Sequence, residues 1–196
     1  MPLTVQLRAA KIPGIIGHIA VHYWFVIQQD SAADRWEIWQ HPTKSEHSWG
    51  HLHKNLMPIN AGVGHGDSWI EAIWHGQRAQ TLATIIERSP ANYANQNCYR
   101  YWPGPNSNTY AQWVLNQAHS SVQLSPQGIG KDYHGLLYFR HTGPLTYLSS
   151  PLFGFKLIWA QSFELQLLTC SCLIEFKPLN VYLPFTPIDK KRLNDL

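Results

Sequence analysis

Alternation of apolar and polar residues near the start of the chain predicts antiparallel β-structure. Residues 3–9 alternate, and residues 17–28 are rich in β-branched and aromatic side chains, so we expect a strand in each. The polar segment 30–34 is typical of a turn, and residues 35–40 follow as a second long strand. Residues 17–40 are therefore expected to form a β-hairpin.

The period of two along this hairpin decides which side chains share a face. His22 lies on the same face of the first strand as Trp24, and Glu37 shares a face of the second strand with Trp39. The hairpin thus carries one histidine and one carboxylate on neighbouring strands.

The rest of the chain contains further predicted strands. Residues 41–66 are polar and rich in histidine and glycine, which favours a loop with a short strand inside it, and residues 68–76 predict another strand. Apolar runs in the last third predict strands over residues 153–160, 163–176 and 179–184.

The middle of the chain predicts two helices. The apolar residues of segment 76–89 recur at helical spacing, and Ser89-Pro90 is expected to end that helix. A second helix is expected to begin near Asn106 and to run to about Gln117. The layout indicates an α+β fold in which one antiparallel sheet packs on two helices, in a single domain over residues 1–196.

Composition excludes some classes of partner. The chain has 196 residues and a formal net charge of +3, and its basic residues are scattered apart from Lys190-Lys191-Arg192. A solvated tail is the interpretation we favour for that run, and nothing indicates the basic groove that a nucleic acid requires. No nucleic-acid partner and no cofactor are expected.

Targeting signals are weak. The first residues lack an uninterrupted apolar region, and no segment reaches the roughly 18 apolar residues of a membrane span. We therefore expect a cytoplasmic protein without a transmembrane segment, whose apolar last third forms buried structure with a surface for peripheral contact with a membrane or partner. The three cysteines favour a reducing compartment: Cys98 is expected to be structural on a short strand, and Cys170 and Cys172 to share one face of a strand.

The segment from Trp102 to Asn108 is the most informative in the chain. Trp102-Pro103-Gly104-Pro105 predicts a rigid turn, after which Asn106, Ser107 and Asn108 stand where the second helix begins. Such side chains cap helices by accepting hydrogen bonds from free backbone N–H groups. The same position also suits a nucleophile, since free N–H groups and the helix dipole favour developing negative charge. The sequence leaves open whether Ser107 reacts or only caps.

Two motifs carry a resemblance to a known family. The runs YRYWPGPNSNTY (99–110) and GIGKDY (128–133), together with His22-Tyr23-Trp24 on the early strand, resemble the bacterial family catalogued as domain of unknown function 3750. The similarity extends, in a degraded glycine-and-leucine pattern, into the last third. Many relatives, as the family suggests, begin with a hydrophobic membrane segment, which this sequence lacks. The family implies a fold neighbourhood and no activity.

A more distant resemblance is to circularly permuted papain-like hydrolases and acyltransferases, in which a strand histidine precedes a cysteine at a helix N-terminus. It implies Ser107 as the nucleophile, His22 as the base and Glu37 as the group that orients the base. It also implies a permuted papain-like fold and an acyl substrate. Serine replaces the expected cysteine, and a hydroxyl does not ionise as readily as a thiol, so the exchange is also consistent with lost activity.

Two alternatives to an enzyme are open. A non-catalytic domain of the same fold would bind a small polar or acyl ligand through the residues near its turn and Gly-rich loop: Asn106, Asn108, Lys131, Asp132 and Trp102. A metal site would use the histidines of segment 41–66, namely His47, His51, His53 and His65. No established metal-binding motif supports that site, so a solvated histidine-rich loop is the interpretation we favour.

Overall fold

The computed structural model describes residues 2–168 and 170–183, which form two antiparallel sheets and three α-helices. The first sheet has five strands in the order β4-β3-β2-β1-β5. Its strands are β1 (Thr4–Lys11), β2 (Val21–Gln29), β3 (Ala32–Ser45), β4 (Ser48–Lys54) and β5 (Trp69–His75).

Helices cover one face of this first sheet. Helix α1 (Gly76–Glu87) follows β5 directly, α2 (Ser89–Asn92) is a single turn, and α3 (Ser107–Gln117) packs on β2 and β3. The main core lies between the helices and that face, where aromatic side chains such as Tyr23 and Tyr110 are fully buried. Because side chains alternate along β2, His22 and Trp24 point to the opposite face.

The second sheet is a six-stranded meander that follows the helices in the chain. Each strand pairs with its neighbours in sequence, in the order β11-β10-β9-β8-β7-β6. The strands are β6 (Tyr138–Thr142), β7 (Leu145–Ser149), β8 (Phe153–Ile158), β9 (Ser162–Leu167), β10 (Cys170–Phe176) and β11 (Leu179–Tyr182).

The mixed α and β structure with antiparallel strands is confirmed, but the structure has two sheets where one was expected. The strand expected over residues 17–28 begins only at Val21, because Ile15–His18 forms a 3-10 turn after Gly14 in the left-handed region. The expected loop 41–66 contains the end of β3 and all of β4. The alternating segment 69–75 and the helix over 76–87 agree with expectation.

In the last third, the expected strand 163–176 is a hairpin. Its turn includes Leu168, which has a positive φ of 52°. Leucine is not one of the residues that usually form turns. Strands β6 and β7 were not predicted. In the middle of the chain, Ser89-Pro90 ends helix α1, as expected, and also begins the short helix α2. The basic run at 190–192 lies outside the described residues. Each helix of the described chain is too short or too polar to span a bilayer.

Candidate functional site

Helix α3 is anchored at a gap between strands β2 and β3. The two strands pair from Phe25 to Gln29, and β3 is irregular beyond Ile38, so near residue 22 the edge of β2 that faces β3 is not paired with it. Asn108 fills this gap: its Oδ1 accepts from Tyr23 N at 3.2 Å, and its Nδ2 donates to Val21 O at 2.9 Å. The side chain of Asn108 therefore holds the start of α3 against the backbone on both sides of His22.

Asn106 caps the same helix. Its Oδ1 accepts hydrogen bonds from Asn108 N and Thr109 N, while Thr109 Oγ1 accepts from Asn106 N, which completes a capping box. Its Nδ2 donates to the carbonyl oxygens of Tyr101 and Ile129. Gly130 has a positive φ of 85°, and a Cβ there would lie 2.4 Å from Asn106 Nδ2. The GIGKDY motif thus supplies the space that this cap requires.

His22 and Glu37 meet on the face of the sheet that the helices leave open. His22 Nε2 lies 3.0 Å from Glu37 Oε2, and both side chains are buried. The rings of Trp24 and Trp39 each lie 5.6 Å from the His22 ring between centroids. The structure therefore brings together the two residues that the hairpin pattern placed on neighbouring strands.

Arg35 also belongs to this cluster, and it was not predicted from the sequence as a site residue. Its Nη2 donates to Glu37 Oε2 at 2.7 Å, and its Nη1 donates to the carbonyl oxygens of Pro58 and Ala61 at 2.8 and 2.6 Å. Its guanidinium carbon lies 4.1 Å from the centroid of the Trp24 ring. The period of two could have found it, because Arg35 and Glu37 are two residues apart on one strand and so share a face.

The electrostatics of the cluster favour an ionised Glu37. Burial by itself raises the pKa of this carboxyl, but the hydrogen bond from His22 and the positive charges of His22 and Arg35 outweigh burial and lower it. An ionised Glu37 only accepts hydrogen bonds, so the proton it shares with His22 belongs to Nε2. No hydrogen bond among the described residues engages the other ring nitrogen, His22 Nδ1.

Ser107 is the first residue of α3, and only 5% of its surface is exposed. Its Oγ donates to Asn108 Oδ1 at 3.4 Å, and no hydrogen bond of the described chain joins it to His22. We expected several free backbone N–H groups at this position, and that is wrong. Asn106 accepts hydrogen bonds from Asn108 N and Thr109 N through its side-chain oxygen and from Tyr110 N through its carbonyl oxygen. Among the described hydrogen bonds, none engages the backbone N–H of Ser107.

The remaining predicted ligand-binding residues contact the chain itself. Lys131 is buried, and its Nζ lies 2.5 Å from both Asp132 Oδ2 and Glu164 Oε1. Trp102 is half exposed and donates from Nε1 to Leu168 O at 2.8 Å. Like Asn106 and Asn108, these side chains form hydrogen bonds that connect segments of the fold.

The histidines proposed as metal ligands are divided between strand and surface. His51 and His53 are buried on β4 and bond other groups: His51 Nδ1 contacts Trp39 O, and His53 contacts Ser48 Oγ and His41 O. His47 and His65 are exposed. A wholly solvated loop was therefore wrong, and no group of three potential metal ligands lies together in the described part of the chain.

Of the three cysteines, one lies elsewhere than expected and two lie as expected. Cys98 was expected on a strand, but it lies exposed in irregular structure. Cys170 and Cys172 do share one face of a strand, β10, as expected.

Replacing Asn108 by alanine is expected to destabilise the fold by about 2–4 kcal/mol. The change leaves Tyr23 N–H and Val21 O without partners in the sheet, and an unpaired buried polar group costs about 1–3 kcal/mol. Urea unfolding followed by circular dichroism measures the loss. Asn92→Ala, at an exposed position of α2, is the matched control and is expected to change little; equal losses in both variants would contradict the anchoring role of Asn108.

The fold and site define a mixed α+β protein in which a strand histidine, bonded to a buried carboxylate, lies beside the N-terminus of a helix. The chain belongs to a family of proteins of unknown function, DUF3750, whose sequence model matches residues 3–133. The match contains the first sheet, the helices and both sequence motifs, and it ends before the second sheet, where we had expected the similarity to continue. Comparison with curated proteins and with solved structures finds no match.

Proposed function

We propose that this protein is a hydrolase or acyltransferase that uses Ser107 as its nucleophile and His22 as its base. The observation that carries the proposal is the 3.0 Å contact between His22 Nε2 and Glu37 Oε2, on a strand whose backbone next to His22 is hydrogen-bonded to Asn108, the neighbour of Ser107. A nucleophilic serine requires a base, and the base requires a group that fixes its tautomer. His22 and Glu37 supply the second and third of these parts.

The reaction would begin when the Ser107 hydroxyl turns from Asn108 Oδ1 towards His22 Nδ1. The imidazole takes the hydroxyl proton as Ser107 Oγ attacks the acyl carbonyl, and Glu37 stabilises the imidazolium that forms. The Ser107 N–H donates to the oxyanion. His22 then protonates the leaving group, which departs and leaves an acyl-serine for water or an acceptor alcohol to attack.

The surroundings of the base favour an acyl group of modest size. His22 and Ser107 are 6% and 5% exposed, so a reacting carbonyl has only a narrow approach. Two indole rings flank the imidazole and offer apolar contact to an acyl chain. Short acyl esters and thioesters are therefore the substrates we propose to test first.

A non-catalytic binding domain is the competing proposal. It would use Asn106, Asn108, Lys131, Asp132 and Trp102, and the hydrogen bonds of these side chains already connect parts of the chain to one another. No contact of the described residues favours that domain over the enzyme.

A fluorophosphonate probe is expected to label Ser107, and His22→Ala is expected to abolish the labelling. Such probes react with a serine only when a base removes its proton, so labelling reports the proposed pair without a known substrate. Peptide mapping by mass spectrometry identifies the modified residue. His18→Ala, an exposed histidine at the end of a 3-10 turn, is the control and should label like the wild type.

Absence of label on Ser107 in the folded wild-type protein would count against an enzyme and in favour of a binding domain. Labelling that survives His22→Ala would remove His22 from the mechanism.

A further inference from the structure

The second sheet buries its polar face. Glu164 and Gln166 on β9 and Ser171 on β10 point to the same side of the sheet as Ser149 on β7, and all four are buried. On that side Glu164 bonds Lys131, and Ser149 Oγ donates to Asp132 O at 2.6 Å. The polar face is therefore the one that rests on the rest of the chain.

The opposite face of this sheet is apolar. Cross-strand pairing aligns Phe139, Leu148, Phe155, Leu165 and Cys172 in one row across five strands. In the adjacent row Leu157, Phe163, Ile174 and Val181 are apolar, and the row ends in Thr146 and His141 on β7 and β6. We call the side that carries these two rows the apolar face.

The apolar face is not covered by the described residues. None of the side chains in the two rows is in the buried class, and Phe139 is 65% exposed. A sheet normally buries its apolar face against a second layer, and soluble monomers rarely expose a contiguous apolar surface of this extent. Over this face the described residues supply only one layer, where two are expected.

We propose that a second copy of this chain supplies the missing layer, by packing its own apolar face against the first in a symmetric dimer. Two sheets stack face to face about 10 Å apart, and a two-fold axis pairs the same surface from both subunits. The inference is independent of the proposed enzymatic function, since none of its residues belongs to the Ser107 site.

The charges on the sheet favour a second copy over other partners. In a symmetric interface a charged residue on the face is buried in both subunits, which is costly, and the two rows of the apolar face contain no Lys, Arg, Asp or Glu. The charged residues Arg140, Lys156 and Glu164 lie on the opposite, polar face. A surface that binds acidic lipids would be expected to carry basic residues around its apolar centre.

The area of the apolar face is also of the order that each partner buries in a stable protein–protein interface. Six strands at about 4.8 Å spacing and about five residues at 3.3 Å each give a flat footprint of about 500 Å². The relief of the side chains adds to that area, and a standard interface buries about 800 Å² on each partner.

Sedimentation velocity on the full chain at micromolar concentration tests the dimer. We expect the wild type at twice the 22.5 kDa mass of one chain, and Leu165→Glu at the monomer mass, because the change buries like charges between the subunits. Leu56→Glu makes the same substitution at an exposed leucine of the first half of the chain and should remain dimeric. Mixing Leu165→Glu with Leu165→Lys should restore a dimer, which separates lost association from lost folding.

Thiol alkylation provides a second measurement within the same protein. Cys170 and Cys172 lie on the side of the apolar face, while Cys98 is exposed elsewhere. In the dimer we expect a maleimide to modify Cys98 at least about tenfold faster than Cys170 and Cys172, and the difference to narrow several-fold in Leu165→Glu.

A monomeric wild type would overturn the proposal. Protected thiols in that monomer would show that residues of the same chain cover the face, and binding of the monomer to liposomes would show that lipid does. A dimer that persists in Leu165→Glu with protected thiols would place the interface elsewhere and would also overturn the proposal.

Discussion

Replacing Ser107 by alanine is expected to reduce the hydrolysis of short acyl esters by at least about 1,000-fold. Removing the nucleophile of a serine–histidine pair eliminates the covalent step, and the other groups cannot replace it. Initial rates on acyl esters and thioesters of increasing chain length measure the effect. Ser31→Ala, at an exposed turn, is the control and is expected to retain the full rate.

The structure separates this prediction from a loss of stability. The helix cap is Asn106, whereas Ser107 is the first helical residue and its hydroxyl makes one long hydrogen bond, of 3.4 Å. Ser107→Ala should therefore change the free energy of unfolding by less than about 0.5 kcal/mol, because alanine suits a helix at least as well as serine. Equal rates for wild type and Ser107→Ala would refute the nucleophile, and Ser107 would then be an ordinary first-turn residue.

The proximity of His22 and Glu37 was predictable because it depends on local pattern. A two-residue period over a short hairpin fixes which side chains share a face, and both residues lie on strands that are adjacent in sequence. The helix after the Pro-Gly turn was predictable for a similar reason, since a cap residue precedes a run of helix-forming residues. Arg35 was within reach of the same pattern.

Contacts that depend on distant segments could not be predicted. The gap between β2 and β3 that receives Asn108 arises from the irregular path of β3. The hydrogen bond from Asn108 to Val21 O in this gap joins residues 87 positions apart. The turn at Leu168 lies inside an apolar run, so hydrophobicity alone indicates one continuous strand. It was also not predictable that the second sheet buries its polar face, because alternation shows that two faces differ and does not show which one is buried.

Replacing Lys131 by methionine is expected to destabilise the protein by about 3–5 kcal/mol. Lys131 lies between Asp132 and Glu164, and its loss leaves two buried carboxylates without their shared cation. Glu164 belongs to β9, so the same change removes a contact between the second sheet and the helix-bearing part of the chain. Urea unfolding at neutral pH measures the loss. Lys54→Met breaks a partly exposed ion pair with Asp34 and should cost less than about 1 kcal/mol.

The effect of Lys131→Met is also expected to depend on pH. Burial by itself raises the pKa of Asp132, but the charges of Lys131 and Lys156 and the hydrogen bond from Lys131 together outweigh burial and lower it. A carboxyl whose pKa is lowered by folding stabilises the protein above its unfolded pKa, about 3.9 for aspartate, and this contribution is lost as the pH falls through the lower, folded value. The gap between wild type and variant should therefore be largest near neutral pH and shrink below about pH 4. Lys156 also lowers the pKa of Asp132 and remains in the variant, so part of the acid dependence should survive. A gap that stays constant from neutral to acid pH would show that the charge of Lys131 does not contribute to it.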